Sequence, residues 1–388
     1  MRWLWLLLCG ALLACQAEHA AVAPAQPQTG AEQLARYLPL LKNKRVGLLV
    51  NQTSRIGEQH LVDVLLQHQV NIVSIFAPEH GFRGDYDAGA SVKNSTDSKT
   101  GLPLLSLYGA SKKPSAQQMQ ELDIVIFDIQ DVGVRYYTYI SSMHYMMEAA
   151  AEYNVAMLVL DRPNPNGAFV DGPLLDLKFQ SFVGMHPIPL LHGMTVGELA
   201  QMIKGERWIN NADKLQLTVL PMTGYRRDMP YALPVKPSPN LPNAQAIALY
   251  PSLGFFEATP LSVGRGTAFA FQVIGYDKFG PAGFRFTPVS TPGAAVSPPL
   301  MDKTLYGADL RTVAVNGLDL QYLLRWHALF KQHNEVFFTA PAFMDKLAGT
   351  DSLRQQIEQG LTEAEIRAGW QPGLMQFKQQ RQPYLLYP

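Results

Sequence analysis

Three clusters of ionisable side chains stand out in this chain, each directly behind a largely apolar run. The densest is Ala77-Pro78-Glu79-His80-Gly81-Phe82-Arg83-Gly84, which follows Val70 to Phe76. An acid, an imidazole and a guanidinium crowded together can move protons to and from a small molecule. Apolar neighbours such as Phe76 and Phe82 favour the protonated form of a carboxyl, which a general acid requires. Glu79 and His80 are therefore the first catalytic candidates. The plainer alternative is a Glu79–Arg83 pair that only shapes the loop.

The second cluster is Asp128-Ile129-Gln130-Asp131-Val132-Gly133-Val134-Arg135, behind Asp123 to Phe127. Two acids three apart, with Gln130 between them and Arg135 after, can hold a water or bind hydroxyls. They can equally cap the helix expected from about Tyr136, because acids stabilise a helix N-terminus. The third is Asp161-Arg162-Pro163-Asn164-Pro165-Asn166-Gly167, behind Ala156 to Leu160. Its Pro, Asn and Gly suit a turn, whereas Asp161-Arg162 at a strand end suits ligand contact.

The elements that must position these groups alternate in type. Arg45 to Val50 reads as a strand ending at Asn51, Leu61 to Gln69 as a helix, and Val70 to Phe76 as a strand. Leu104 to Tyr108 reads as a short strand and Ser115 to Leu122 as a helix with Ser115 as N-cap. Asp123 to Phe127 and Ala156 to Leu160 read as strands, with a helix from Tyr136 to Tyr153 between them. Near-continuous apolar strands separated by helices predict a parallel sheet covered on both faces. The carboxyl ends of such strands share one edge, where α/β folds bind ligands. Asn51, Glu79, Asp128, Asp131, Asp161 and Arg162 would all meet there.

No glycine-rich phosphate loop follows the first strand, and no Walker A sequence occurs, so neither NAD nor ATP is expected as a cofactor. The chain has 388 residues with 32 basic and 32 acidic side chains, a neutral balance that argues against nucleic acid as the main partner. His80, His144, His186 and His192 lack the spacing of a zinc motif, and His144 falls among core-type helix residues, so no metal is expected. There is no G-x-S-x-G nucleophile motif.

The N-terminus reads as an export signal. Arg2 precedes the apolar run Trp3 to Leu13, and Leu12-Leu13-Ala14-Cys15 is similar to a bacterial lipobox. Residues 1–15 would form the lipoprotein signal segment, with Cys15 lipidated and left as the first residue of the mature protein. By the same analogy, Gln16 favours the periplasmic side of the outer membrane, with the lipid as the only membrane contact. The one other cysteine is Cys9, which leaves the body of the chain without thiol chemistry. Residues 16–35 read as a flexible tether rich in Ala, Pro and Gln.

Thr195 and Glu198 have capping-box spacing, a structural role for Glu198. From about Tyr225 prolines become frequent, four of them between Pro234 and Pro242. Strands are expected at Ala268 to Ile274 and Leu310 to Val315, and a helix at Leu318 to His333. The expected organisation is an α/β catalytic domain over 36–224 and a smaller α+β domain over 225–388. The second supplies Asn240, Glu257 and Arg265, where Arg265 can clamp an anion or serve inter-domain packing.

The stretches "VGLLVNQTS", "APEHGFRG", "DIVIFDIQDVGVRYYTY", "LDRPNPNG", "HGMTVGELA", "YRRDMPY", "PSPNLP" and "QPYLLYP" together resemble one bacterial family, DUF1343, linked to exo-β-N-acetylmuramidases of the NamZ type. The resemblance runs from about residue 38 onward. It implies a Rossmann-like domain, a C-terminal domain and an active site in the cleft between them. It also implies release of N-acetylmuramic acid from the non-reducing end of peptidoglycan fragments, with Glu79 catalytic. Such hydrolysis needs a carboxylic acid and usually a second group, here one of Asp128, Asp131 or Glu257. The lactyl carboxylate of the sugar calls for an arginine, among Arg83, Arg135, Arg162 and Arg265. Asn51, Gln130, Asp161, Asn164, His192 and Asn240 complete the expected substrate-binding set. The chain departs from the family at Ala258 and Pro260, where Gly and Asn are usual, and at Val263, where an acid is usual. That last change opens a second reading, a lipoprotein that binds muropeptides without cleaving them.

Overall fold

The computed structural model describes residues 26–79, 81–82, 94–109 and 111–388. His80, Arg83 and Cys15 lie outside them, as do residues 16–25. The rest of the expected tether is instead part of the body, with Gln28 paired to Thr223, the Gly30 amide bonded to the Asp161 carbonyl and Ala31 fully buried. Six parallel strands form the main sheet: β1 (Val46–Val50), β2 (Ile72–Ala77), β3 (Pro103–Ser106), β4 (Ile124–Asp128), β5 (Ala156–Leu160) and β6 (Leu217–Leu220). Their order is β3-β2-β1-β4-β5-β6, with Ser95–Thr96 added antiparallel at the β3 edge. This is the doubly wound order of dinucleotide-binding folds, whose direction reverses between β1 and β4.

Alternation along the strands feeds two cores. Val46, Leu48 and Val50 pack with Ile124 and Ile126 beneath α1 (Leu34–Leu41) and α2 (Leu61–Gln67). Leu49, Val125 and Phe127 face the other way, toward α3 (Ala116–Gln120), α4 (Tyr139–Tyr153) and α5 (Val196–Gly205). Strand side chains alternate with period two, so a sheet buried on both faces must be apolar at nearly every position.

The core on the α4 side continues without a break into the C-terminal part, through Phe256, Trp326, Ile366 and Phe377. That part includes the proline-rich segment Pro234 to Pro242, α6 (Ala244–Leu253) and a three-stranded antiparallel sheet. Its strands are β7 (Val273–Tyr276), β8 (Phe284–Phe286) and β9 (Leu305–Asp309), in the order β7-β9-β8. Four helices follow: α7 (Gln321–Gln332), α8 (Pro341–Ala348), α9 (Ser352–Gln359) and α10 (Glu363–Gln380).

Several local expectations shift. The strand expected from Ala268 starts only at Val273, because Gly264–Thr267 is a turn and Phe271 takes φ +56°. Leu310 to Val315 is not a strand, since the ladder ends at Asp309 and Gln245 Nε2 donates to the carbonyls of Leu310 and Val313. The helix expected from Tyr136 starts at Tyr139, because Val134–Tyr137 closes a turn. The capping boxes at Ser115/Gln118 and Thr195/Glu198 are present, and Glu198 also pairs with Arg227.

Candidate active site

Glu79 leaves the end of β2 two residues after Ala77. Its carboxylate accepts a hydrogen bond from the Tyr108 hydroxyl at Oε1 (3.0 Å) and from Thr138 Oγ1 at Oε2 (2.9 Å). Tyr108 follows β3, and Thr138 immediately precedes α4, so two strand ends and a helix start fix one carboxyl group. Tyr and Thr hydroxyls both donate and accept, so they hold Glu79 in either protonation state. Burial and the Glu79 charge push the Tyr108 phenol well above its ordinary range. It therefore stays a neutral donor.

Glu79 opens onto a cavity of about 370 Å³. The sheet side supplies Tyr136, Tyr137 and Tyr139, and the rim supplies Phe182. The C-terminal part closes it with Asn240, Tyr250, Glu257, Arg265 and Phe271. Tyr136 and Tyr137 reach across and donate to backbone carbonyls of the second part: Tyr136 to Tyr250 and Pro251, Tyr137 to Pro237 (2.7 Å). The tyrosine run thus both lines the cavity and pins its two walls together.

Glu257 lies on the 3-10 turn after α6, and Arg265 on the glycine-flanked loop before β7. Arg265 Nε donates to Glu257 Oε1 (2.9 Å), with a second bond from Nη2, and the guanidinium covers the Phe271 ring at 5.0 Å. Burial works against the arginine charge, but Glu257 outweighs it and raises the guanidinium further.

The other groups named from the sequence are spent inside the protein, Asp128 and Arg162 on each other and the rest on backbone groups and neighbouring side chains. Asp128 is fully buried and forked by Arg162, with Nε–Oδ1 at 2.6 Å and Nη2–Oδ2 at 2.9 Å. Asp161 accepts from Thr195 Oγ1 (2.7 Å), the Gly197 amide (2.8 Å) and the Tyr387 hydroxyl (2.5 Å). Burial raises its carboxyl to about 6. Arg135 donates to the carbonyls of Pro173, Ile188, Leu347 and Ala348, and burial lowers it to about 9. Asn51 Oδ1 binds the amide and hydroxyl of Thr53, and Gln130 Nε2 binds the carbonyls of Asp131 and Pro163. Asn164 donates to the Met194 carbonyl and lies over Gly133, where an added Cβ would come within 2.1 Å of its Oδ1. His192 Nδ1 accepts the Met194 amide, and burial lowers its imidazole to about 3. None of these eight is among the residues lining the Glu79 cavity.

The switch point between β1 and β4 is roofed over. Gln52 Nε2 donates to the carbonyls of Lys236 and Pro237 (3.2 Å each), which seats the proline-rich segment on the strand ends. The open space is thereby displaced toward β2, β3 and α4. Val263, where the family carries an acid, is buried in the large core and does not reach the cavity.

Asp131 is also buried. Its Oδ2 accepts the Gly133 amide (2.6 Å), and burial raises its carboxyl to about 7. An unfolded chain gives up this proton near pH 4. The folded chain keeps it to about 7, so this group's stabilisation is complete below about pH 4 and is lost as the pH rises through about 7. Asp131→Asn is expected to flatten that loss: between pH 5 and pH 8 its urea midpoint falls less than that of the wild type. Parallel losses in the two proteins would contradict a retained proton.

Tyr108, Thr138, Tyr139 and Tyr250 were not singled out from the sequence. Tyr108 had a positional signal, since it follows a strand as Glu79 does. Tyr250 had none, because it comes from a helix of the second part. Among the described residues, no three His, Cys, Asp or Glu side chains gather as a metal cluster. His144 Nδ1 lies 3.0 Å from His186 Nε2, both buried.

A doubly wound α/β sheet whose strand-end cleft carries Glu79 and Glu257 among tyrosine and phenylalanine side chains has the make-up of a saccharide-binding site with two carboxylates, the set that glycoside hydrolysis uses. Residues 46–245 match the N-terminal family, and residues 248–387 the C-terminal family, of the exo-β-N-acetylmuramidase NamZ; the chain belongs to that family. It is 39% identical over 383 residues to the peptidoglycan β-N-acetylmuramidase NamZ of Bacillus subtilis, across 93% of this chain and 91% of that one. Two crystal structures of DUF1343 family proteins from Bacteroides fragilis share the fold. One has 46% identity and a TM-score of 0.86, covering 94% of this chain and 99% of that one. The other has 29% identity and a TM-score of 0.82, covering 93% and 99%.

Proposed function

We propose that the protein hydrolyses the β-glycosidic bond of a terminal N-acetylmuramic acid in peptidoglycan fragments, with Glu79 as general acid. The observation that carries this is a carboxyl fixed by Tyr108 and Thr138 on a cleft that also holds a second carboxylate, Glu257. Glycoside hydrolysis uses one acid to protonate the leaving oxygen and a second group on the other side of the bond. Of the three acids expected for the second role, Asp128 is locked to Arg162 and Asp131 is buried off the cavity. Glu257 is also paired, through Oε1 to Arg265, but it alone of the three lines the cavity, and the second role falls to it.

Arg265 is the reader of the lactyl carboxylate. Arg83 lies outside the described residues, and Arg135 and Arg162 are spent away from the cavity on carbonyls and on Asp128. Arg265, though it pairs with Glu257 through Nε and Nη2, lines the cavity itself. A muramic glycoside carries this carboxylate and an N-acetylglucosamine glycoside lacks it. Wild type is expected to cleave the chromogenic muramic glycoside and to prefer it strongly. In Arg265→Gln that preference falls by roughly tenfold or more, the weight of one charge-assisted pair. An equal loss on both glycosides would refute the role, and binding of a muramic disaccharide without cleavage by the wild type would favour the non-catalytic reading.

The protein's place is the periplasmic side of the outer membrane, held by lipid on Cys15. The apolar run Trp3 to Leu13 before Leu12-Leu13-Ala14-Cys15 supports this. No described helix is long and apolar enough to cross a membrane. Cys15→Ser would leave no palmitate label on the chain; label retained in that variant would dismiss the anchor.

A further inference from the structure

The cavity at Glu79 is small, near the lower end of the roughly 300–1,000 Å³ typical of ligand pockets. It has room for a terminal sugar but not for the strand behind it. A second hollow, of about 550 Å³, adjoins it. Two strips of chain build both. On one strip, Arg265 faces the first cavity and Gly266, Thr267 and Ala268 face the second. On the other, Asn240 lines both, while Pro239 and Pro242 line only the second. The two hollows therefore meet at Asn240 and the Arg265–Gly266 peptide.

We infer that this second hollow is the subsite for the glycan strand beyond the leaving sugar. The inference rests on the muramidase reading above. Its lining has the chemistry of a neutral saccharide site. It offers the amide oxygen of Asn240 and the hydroxyl oxygens of Thr267 and Thr291 as acceptors, their donors being used inside the protein, with proline rings and bare glycine backbone. Lys236 alone among the described lining residues is ionisable, so the hollow carries little charge, as a site for an uncharged glycan requires.

The surface is also held in shape. Asn240 Nδ2 donates to the Ala294 carbonyl (2.8 Å), tying the proline strip to the turn at Thr291–Ala295. Gly266 has φ +80°, and an added Cβ would come within 2.5 Å of the Val289 carbonyl, so only glycine keeps this wall in place. A fixed, largely neutral groove beside the catalytic cavity, with Asn240 as their common wall, adds binding energy for each further sugar it holds.

The test compares a muramic-terminated disaccharide with the corresponding peptide-free tetrasaccharide, in wild type and in Ala268→Trp. Ala268 is exposed on the hollow's rim, so the indole obstructs the groove without entering the core. Wild type is expected to show a kcat/KM about tenfold higher for the tetrasaccharide. Ala268→Trp abolishes that gain and leaves disaccharide cleavage unchanged, and Ala268→Ser restores it. Equal rates for both substrates in wild type would overturn the inference. So would a tetrasaccharide gain that survives the tryptophan, or a tryptophan effect confined to a peptide-bearing disaccharide. Failure of wild type to cleave even the disaccharide would remove the muramidase reading itself.

Discussion

Glu79→Gln is expected to lose between about a hundredfold and ten-thousandfold in kcat/KM on a muramic glycoside, the usual worth of a positioned general acid. The amide keeps the shape of the carboxyl: its oxygen accepts from one of the two hydroxyls that fix Glu79 at 3.0 and 2.9 Å, and its NH2 donates to the other hydroxyl oxygen. It cannot deliver a proton to the leaving oxygen. The melting temperature should therefore stay close to that of the wild type while turnover collapses. A glycoside whose leaving group departs without protonation, such as a dinitrophenyl aglycone, should recover much of the loss, because the missing proton is then not required. A variant slow on both aglycones to the same degree would make Glu79 something other than the acid. A variant with wild-type turnover would remove it from the chemistry.

Arg162→Met is expected to have the largest effect on stability, about 3–5 kcal/mol, the typical cost of stripping one partner from a buried ion pair. Arg162 is 5% exposed and Asp128 is fully buried, with two bonds of 2.6 and 2.9 Å between them. Arg162 also donates to the Arg55 carbonyl, and Ser54 donates to the Asp128 carbonyl. Methionine fills much of the volume but leaves the Asp128 carboxylate without a cation. The double variant Asp128→Asn/Arg162→Met is expected to be more stable than Arg162→Met alone, since the uncompensated charge is gone. Urea unfolding of the three proteins checks this. A single variant as stable as the wild type would show that the pair is not structural, and strand-end contact with substrate would regain its claim on both residues.

These two variants separate the two fates of a charged residue at a strand end. Glu79 and Arg162 both stand where an apolar strand stops, and both came forward on the same argument. One faces a cavity and the other faces an aspartate. Position in the chain is equal for the two, and only the neighbours differ.

Much of the molecule was legible in the residues. The apolar runs at 46–50, 72–77, 124–128 and 156–160 specify buried strands because a sheet covered on both faces admits no polar alternation. Ser115 and Thr195 announce helices through capping boxes, a local exchange of hydrogen bonds that needs no tertiary contact. Glu79 was legible for the same reason: an acid in a turn after such a strand is delivered to the sheet's binding edge by the fold itself.

Tertiary structure decided what local pattern cannot encode. Which ionised groups neutralise one another depends on distances between segments far apart in sequence, as with Asp128 and Arg162, 34 positions apart, or Asp161 and Tyr387, 226 apart. Where the cleft opens depends on which segment covers the switch point, and the proline-rich segment does so through backbone carbonyls that any sequence possesses. Glu257 and Arg265 became partners of the Glu79 cavity only because the core on the α4 side runs unbroken from the parallel sheet into the second part, and holds the two walls of the cleft together.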